Sequence, residues 1–278
     1  MSLEITRAAL ATKHGKESIF SPALAKIGIA VSVAEIDTDH FGTFAGEIER
    51  LGTPRETAER KARAGLQSLG VSVGLASEGS FGPHPATPFL LADTEVVVYV
   101  DTDLDYCVFA VASSISAVPP AKVIMNTDDI NSLMITKLFP DQRAIVVTEE
   151  PLTKTRIVLA KGIDNVDELR STVEQAFADQ PHSVIVEPDL RAHYCPDRRK
   201  VISSAVDRLV KRLRVSCPDC DAIGFGSLRT IPGLRCGLCG LPTTSTAFDV
   251  MGCSRCGFET EVARAGEADP TFCDRCNP

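Results

Sequence analysis

Four Cys-x-x-Cys pairs in the C-terminal part of this chain constrain its fold more than any other feature of the sequence. Gaps of 15, 13 and 16 residues separate consecutive pairs. Each pair places two thiolates on a tight turn, and two pairs complete a tetrahedral four-cysteine zinc site with no open coordination position. The pairs are Cys217 and Cys220, Cys236 and Cys239, Cys253 and Cys256, and Cys273 and Cys276.

We therefore expect two structural zinc ions in a C-terminal zinc-ribbon module spanning residues 215–278. Zinc-ribbon spacing favours sequential sites, in which the first pair joins the second pair and the third joins the fourth. The alternative is a cross-braced arrangement, in which successive pairs alternate between the two ions.

The N-terminal residues and the hydropathy of the chain predict a cytoplasmic protein with no membrane contact. Glu4 interrupts the apolar core that a signal peptide needs. No apolar run approaches the length of about 18 residues that a membrane helix needs. Because cytoplasmic thiols stay reduced, zinc ligation fits the paired cysteines better than disulfides do.

The formal net charge of −8 argues against a protein that holds nucleic acid by bulk electrostatics, because phosphate backbones attract positive surfaces. Residues 215–278 contain 5 Lys and Arg against 8 Asp and Glu. Each four-cysteine zinc site adds further negative charge. The zinc module is therefore expected to act as a folding clamp or as a contact surface for a protein partner.

An α/β domain is predicted for residues 1–214, with a mixed sheet flanked by helices, because 278 residues suit two domains. A capping box with proline at the first helical position, Thr53-Pro-Arg-Glu56, begins a helix that ends near Leu69. Further helices are predicted at 165–178 and 197–213. Apolar runs typical of strands lie at 5–11, 29–36, 71–78, 96–100, 107–113, 144–148, 156–159 and 183–186.

A polar loop between the first strand and the first helix supplies the first candidate ligand-binding residues. It contains Thr12, His14 and Lys16, and it leads into a helix whose N-terminal N–H groups and dipole favour an anion. The loop lacks the glycine spacing of a Walker P-loop. A phosphate-binding loop and a solvated loop both fit the segment.

Carboxylates from two segments are candidate Mg²⁺ ligands. Glu47 and Glu49 lie in an acidic segment with interspersed glycines, and Glu78 lies in a turn rich in glycine and proline. Carboxylate oxygens suit a hard cation, although an acidic loop facing water is the alternative for the first segment. Lys61 falls on the interior face of its helix, where it needs either one of these carboxylates or a bound phosphate.

Polar residues that follow other strands and turns complete the candidate site. From Glu187 to Arg214 there are eight Lys and Arg against four Asp and Glu, and a solvated helix face accounts for most of them. Some lie at the start of the predicted helix, where an anionic ligand is favoured. The candidate substrate-binding residues outside the first loop are Ser80, His84, Lys161, Arg191, His193 and Arg198.

Four of these segments resemble motifs of the inosine triphosphate pyrophosphatase and Maf-like superfamily. Residues 12–16 resemble its Thr-x-Asn-x-x-Lys motif, with histidine in place of asparagine and the lysine one residue early. Residues 56–62 resemble its Glu-x-Ala-x-x-Lys-Ala helix, and residues 76–80 resemble its acidic strand end. Residues 191–198 are loosely similar to its base-reading Ser-His-Arg motif.

The resemblance covers about residues 5–85 and 187–213. It implies an α/β hydrolase that uses Mg²⁺ to convert a nucleoside triphosphate to a monophosphate and pyrophosphate. The alternative is a noncatalytic protein that binds a nucleotide or an RNA end and uses its zinc module to contact a partner. The whole chain also resembles an uncharacterised bacterial family with the same two-part layout.

In the implied reaction, Glu78 would hold Mg²⁺ together with Glu47 or Glu49. Either Arg191 or His193 would contact the base or the sugar. The positive side chains that would neutralise charge on the phosphoryl oxygens are Lys16, Lys61 and Arg198.

Overall fold

The structure of the protein is a computed structural model that describes residues 6–42, 50–84, 87–150, 153, 155–179 and 184–278. The chain forms two compact units, and each is made from two separate stretches of sequence. The first unit comprises Met1–Val100 and Phe109–Arg208, and the second comprises Asp101–Val108 and Leu209–Pro278. No helix in the described ranges is long and apolar enough to cross a membrane.

The larger sheet of the mixed α/β first unit has five strands. They are β1 (Thr6–Ala11), β2 (Ile29–Ala34), β3 (Val73–His84), β4 (Thr87–Asp101) and β5 (Tyr106–Ile115). Their spatial order is β2-β1-β3-β4-β5, and β1 pairs in parallel with both β2 and β3. The chain therefore leaves β1, β2 and the paired part of β3 at the same edge of the sheet.

Two helices connect the parallel strands. α1 (Glu17–Ala25) joins β1 to β2, and α2 (Pro54–Leu69) joins β2 to β3. α2 carries the chain back across β1, so β2 and β3 lie on opposite sides of β1 and the strand order reverses there. Ligands in open α/β sheets bind at such switch points, outside the carboxyl ends of the strands.

The predicted capping box at the start of α2 is confirmed. The backbone N–H of Glu56 donates to Thr53 Oγ1 at 3.2 Å, and the Glu56 carboxylate accepts from the N–H of Thr53 at 2.8 Å. The helix ends at Gly70, which has a φ of 62° and so adopts the left-handed conformation that glycine tolerates best. Local sequence signals therefore determine both ends of this helix.

Two glycines allow α2 to pack close to the sheet. A Cβ atom on Gly65 would lie 3.1 Å from the Cβ of Ala11, and a Cβ on Gly74 would collide with the carbonyl oxygen of Ala62. The close approach places the inner face of α2 against the ends of the parallel strands. Lys61 on that face is buried, which confirms its predicted interior position.

The smaller sheet of the first unit is antiparallel and has an apolar core of its own. Its strands are β6 (Lys122–Ile124), β7 (Ala144–Glu149), β8 (Arg156–Ile163) and β9 (Val184–Pro188), in the order β6-β9-β7-β8. α3 (Val166–Asp179) packs Leu169 and Val173 into this core. The strands predicted in the middle of the chain are thus divided between two sheets, and β6 is an additional strand.

The second unit contains a three-stranded antiparallel sheet whose strands connect successive cysteine pairs. The strands are β10 (Gly226–Pro232), β11 (Thr246–Gly252) and β12 (Glu259–Ala263), with β11 in the centre. Each strand carries the chain from one end of the sheet to the other. The first and third cysteine pairs therefore lie at one end, and the second and fourth pairs lie at the opposite end.

Candidate functional site

A cavity of about 60 Å³ lies at the edge where the parallel strands of the first unit end. Its lining includes residues that follow β1, β2 and the paired part of β3, together with residues from α2, β8 and the start of α4 (Pro196–Leu213). Asp39 and Glu78 are its carboxylates. Six positive side chains also line it: Lys13, Lys16, Lys61, Lys161, Arg191 and Arg198.

Glu78 is neutralised by two neighbouring cations. Lys61 Nζ donates to Glu78 Oε2 at 2.6 Å, and Arg50 Nη2 lies 3.2 Å from Glu78 Oε1. The same Arg50 nitrogen donates to the carbonyl oxygen of Gly79 at 2.7 Å. Because Glu78 is 3% exposed, these pairs satisfy a carboxylate that would otherwise be costly to bury. Glu78 therefore compensates Lys61 and Arg50 and offers no free charge to the other cations of the cavity.

Lys16 is a buried cation of the cavity whose hydrogen bonds go to neutral oxygens. Its Nζ atom donates to Ser77 Oγ at 2.9 Å and, more weakly, to the Ser77 carbonyl oxygen at 3.4 Å. Within the described ranges, no carboxylate lies at ion-pair distance from this ammonium group. Burial, reinforced by the neighbouring Arg198, lowers the pKa of Lys16 to about 8. An anionic ligand would supply the charge that this environment lacks.

Arg198 crosses from α4 to the larger sheet and is 1% exposed. Its Nε atom donates to a carboxylate oxygen of Glu95, which is itself completely buried, and its Nη1 atom donates to the Leu190 carbonyl oxygen at 2.6 Å. Burial opposes the charged form of Arg198, but Glu95 more than offsets it and raises the pKa of the guanidinium. Arg198 is therefore a fixed, permanently charged group in the cavity wall.

A second buried carboxylate, Asp93, lies on the same strand two residues before Glu95. Neither of its oxygens has a hydrogen-bond partner in the described part of the chain. Burial, followed by repulsion from Glu95, raises the pKa of Asp93 to about 7. Asp93 and Glu95 both favour the charged form of Arg198.

His14 lines the cavity and contacts a second histidine outside the lining, His193. The rings of His14 and His193 stack with their centroids 4.8 Å apart, and the Tyr194 ring lies 3.7 Å from that of His193. Burial, followed by repulsion from His193, lowers the pKa of His14 to about 4. Burial, followed by the charge of Arg191, also lowers the pKa of His193. Both imidazoles are therefore neutral near pH 7 and present uncharged ring faces.

Two other cations of the cavity, the half-exposed Lys13 and the largely buried Arg191, form ion pairs with aspartates. Lys13 Nζ lies 2.9 Å from Asp37 and 2.6 Å from Asp39, and these two carboxylates raise its pKa. Arg191 is bound through its Nε atom to both oxygens of Asp189, at 3.0 and 3.1 Å. These two cations therefore have acidic partners, as Lys61 and Arg198 do, whereas the hydrogen bonds described for Lys16 go to neutral oxygens.

Most of the predicted site residues lie at this cavity. Ser80 and His84 are not among its lining residues, and His84 Nδ1 instead lies 3.0 Å from Thr87 Oγ1. Glu47 and Glu49 fall outside the described residues. His193 reaches the cavity through its stacking on His14. The predicted residues that line the cavity are Thr12, His14, Lys16, Lys61, Glu78, Lys161, Arg191 and Arg198.

Sequence reasoning did not identify Ser77 or Glu95, which bind Lys16 and Arg198 respectively. Ser77 precedes Glu78 and resembles any serine in a turn, so the pattern offers no signal for it. Glu95 did have a signal, because it alternates with Asp93 in a segment that continues into five apolar residues. Carboxylates in such a run need a partner if they are buried.

The eight paired cysteines form two tetrahedral groups in the second unit. The Sγ atoms of Cys217 and Cys256 lie 3.7 Å apart, as do those of Cys220 and Cys253. Four thiolates at about 2.3 Å from one zinc ion have sulfur atoms about 3.8 Å apart. The second group has sulfur separations of 3.9 and 3.6 Å and consists of Cys236, Cys239, Cys273 and Cys276.

The sequential pairing predicted for these cysteines is wrong, and the sites are cross-braced. The first pair joins the third, and the second joins the fourth. The reason is the length of β10, which has seven residues and separates the first two pairs by about 23 Å at the usual rise per residue. Both groups suit zinc ions held by four thiolates, which leave no position for catalysis.

Within the described residues, these two cysteine clusters are the groups of three or more potential metal ligands that the structure brings together. A predicted Mg²⁺ site at the cavity would therefore rest on Glu78 as its described carboxylate. Mg²⁺ commonly uses one or two carboxylates together with substrate phosphates. Both oxygens of Glu78 are already paired with Lys61 and Arg50, so the described residues do not support the predicted Mg²⁺ site.

The comparisons with known proteins identify one family. A family model described as a domain of unknown function (DUF6671) matches residues 61–278. No curated protein and no solved structure matches the chain. These results do not support the resemblance to the inosine triphosphate pyrophosphatase and Maf-like superfamily. The matched range includes Lys61, Glu78, Arg198 and all eight paired cysteines, and it begins after the loop that holds Lys16.

Proposed function

The chain belongs to the DUF6671 family, and from its cavity we propose that it binds a phosphorylated small molecule, with a nucleoside triphosphate as the first candidate. The observation that supports this proposal is the convergence of six positive side chains on one small cavity of a protein with net charge −8. Phosphate groups are the common biological anions that such clusters recognise.

The unpaired environment of Lys16 strengthens the proposal. A buried ammonium group without a counterion is unfavourable unless a ligand provides one. Lys16 also occupies the N-cap position of α1, where the helix dipole favours negative charge. A phosphate bound beside it would accept from Lys16 and face Arg198, while the neutral rings of His14 and His193 would flank the rest of the ligand.

Replacing Lys16 by methionine is expected to weaken the binding of ATP and inorganic pyrophosphate by roughly tenfold or more, because a hydrogen bond to a charged group is lost. Isothermal titration calorimetry measures the affinity, and the shift in melting temperature reports binding independently. Lys200→Met is the matched control, since Lys200 is an exposed lysine paired with Asp197. Equal affinity in the Lys16 variant and the wild type would count against this cavity.

The affinity for these anions is also expected to fall as the pH rises through about 8, the pKa of Lys16 without ligand. A bound anion favours the ammonium form, so binding above this pH must be accompanied by uptake of a proton. The measurement is the dissociation constant across this interval. Lys16→Arg keeps its charge and should lose this part of the pH dependence. An unchanged profile in that variant would assign the titration to another group.

A second candidate function is Mg²⁺-dependent hydrolysis of a nucleoside triphosphate to a monophosphate and pyrophosphate. It is favoured by the position of Glu78, a carboxylate of the cavity beside Lys61 and Arg198. Bound Mg²⁺ would supply charge neutralisation and a polarised water. Glu78 would bind the ion, and Lys16, Lys61 and Arg198 would stabilise charge on the phosphoryl oxygens.

Glu78→Gln is expected to abolish pyrophosphate release while nucleotide binding persists, because the amide loses the negative charge that the metal needs. The assay is pyrophosphate production from a panel of nucleoside triphosphates with Mg²⁺. Glu59→Gln changes a partly buried glutamate of α2 that does not line the cavity and serves as the control. If Glu78→Gln still hydrolyses nucleotides, Glu78 has no part in the mechanism. If the wild-type protein shows no hydrolysis, the hydrolase function is wrong and only the binding function remains.

For the second unit, the proposed role is that of a zinc-stabilised surface that contacts a protein partner in the cytoplasm. It exposes large apolar side chains, among them Leu238, Val262 and Phe272. Its excess of acidic residues, together with the negative charge of two four-thiolate zinc sites, disfavours nucleic acid. A folding clamp and a protein-contact surface are compatible roles for the same unit.

A further inference from the structure

Lys16 differs from the other lysines of the cavity whose partners are known. Lys61 is paired with Glu78 at 2.6 Å, and Lys13 is paired with two aspartates. Lys16 donates to the hydroxyl and carbonyl oxygens of Ser77, and no described carboxylate pairs with it. Burial without an acidic partner disfavours the charged form of a lysine and lowers its pKa.

We propose that Lys16 is a nucleophilic amine that forms an imine with the carbonyl group of a phosphorylated aldehyde or ketone held in the cavity. This inference rests on the proposed anion-binding function and narrows its ligand to compounds that carry both a phosphate and a reactive carbonyl group. The phosphate would face the fixed charge of Arg198, and the carbonyl group would face Lys16 in the same cavity.

The electrostatic surroundings favour this reactivity. Desolvation and a neighbouring cation are the two conditions that activate lysine for imine formation, and Lys16 has both because it is 8% exposed and lies near Arg198. With a pKa of about 8, roughly a tenth of Lys16 is neutral at pH 7, against less than a thousandth of an ordinary lysine. The lower basicity of the amine reduces this advantage but does not remove it.

The reaction requires no oxidant or reductant. The lone pair of neutral Nζ attacks the carbonyl carbon, the new N–C bond forms, and the carbonyl oxygen becomes the hydroxyl of a carbinolamine. Loss of that oxygen as water leaves the C=N bond, and the two hydrogens of the amine leave with the water. Ser77 Oγ lies 2.9 Å from Nζ and is placed to relay a proton from nitrogen to the departing oxygen.

The test uses pyridoxal 5′-phosphate as a phosphorylated aldehyde and the full-length, zinc-loaded protein. Sodium borohydride then delivers hydride to the imine carbon and converts the adduct to a stable secondary amine, which peptide mass spectrometry locates. We expect Lys16 to be labelled at least roughly tenfold faster than exposed Lys200 near pH 7. Inorganic pyrophosphate should protect Lys16, and pyridoxal without phosphate should label it at least roughly tenfold more slowly.

Two variants separate reactivity from folding. Lys16→Arg keeps the positive charge but cannot form an imine, so it should lose the adduct, and its circular dichroism spectrum checks that it is folded. Lys200→Arg should retain the adduct at Lys16. Labelling spread evenly over the exposed lysines, or total labelling unchanged in Lys16→Arg, would overturn the inference.

The failure of this inference is distinguishable from the failure of the proposed function. If pyrophosphate raises the melting temperature of the wild type but Lys16 is not labelled, the imine chemistry is wrong and anion binding stands. If pyridoxal labels Lys16 as fast as its phosphate ester and pyrophosphate gives no protection, the phosphorylated ligand class is wrong and the proposed anion-binding function fails with it.

Discussion

Replacing Cys220 by serine is expected to remove one of two zinc ions and to unfold the end of the second unit that the ion holds. The remaining three thiolates cannot complete a four-coordinate site. Zinc-binding free energies of about 10–16 kcal/mol in small zinc domains are also folding free energies, so the loss is comparable to the whole stability of a typical domain. The zinc content per chain and circular dichroism measure the result.

Double variants distinguish the observed pairing from the sequential one. Cys220 and Cys256 belong to one group, whereas Cys239 belongs to the other. The double variant Cys220→Ser/Cys256→Ser should therefore retain one zinc ion, and Cys220→Ser/Cys239→Ser should retain none. Cys107→Ser, outside the pairs, should keep both ions. The reverse result for the two double variants would restore sequential sites and contradict the cross-brace.

Replacing Arg198 by methionine is expected to destabilise the protein by about 3–5 kcal/mol, because it leaves the completely buried Glu95 without its partner. The charge left behind would lie on the same strand as Asp93, a second buried carboxylate. Urea unfolding measures the change in the free energy of unfolding. Lys200→Met, which breaks an exposed ion pair with Asp197, should leave stability essentially unchanged.

The combined variant Arg198→Met/Glu95→Leu provides the stricter test. Replacing both members of a buried pair by apolar groups is often neutral, so the double variant should be more stable than Arg198→Met alone. If the effects of Arg198→Met and Glu95→Leu on the free energy of unfolding simply add in the double variant, the two side chains do not stabilise each other. The same variants should lose pyrophosphate affinity, because Arg198 lines the cavity.

Features encoded by neighbouring residues were predictable from the sequence. Thr53 and Glu56 are three residues apart, and their reciprocal hydrogen bonds form as the capping box predicts. The interior position of Lys61 follows from helical periodicity alone. Lys16 lies in the loop after β1, where the rule for ligand sites in open α/β sheets places such residues. The turn predicted around Glu78 is wrong, because β3 continues to His84 and carries Glu78 within the strand.

Features that depend on distant residues were not predictable. Arg198 and Glu95 are separated by 103 residues, and no local pattern connects them. The spacing of the cysteine pairs is similar in both zinc arrangements, so the direction of β10 decides the pairing. The division of the middle strands into two sheets likewise depends on long-range pairing, since the residue pattern of a strand does not indicate which sheet it joins.

The interleaving of the two units has a consequence for how the chain is made. Residues Asp101–Val108 belong to the second unit, yet they leave the ribosome more than a hundred residues before the first paired cysteine, Cys217. A Cβ on Gly224 would collide with Val108, so this early segment packs directly against the backbone that follows the first cysteine pair. Domains usually fold as units in the order of synthesis. Here, residues 101–108 of the second unit are synthesised long before its metal ligands, and a fragment comprising only residues 215–278 would lack them.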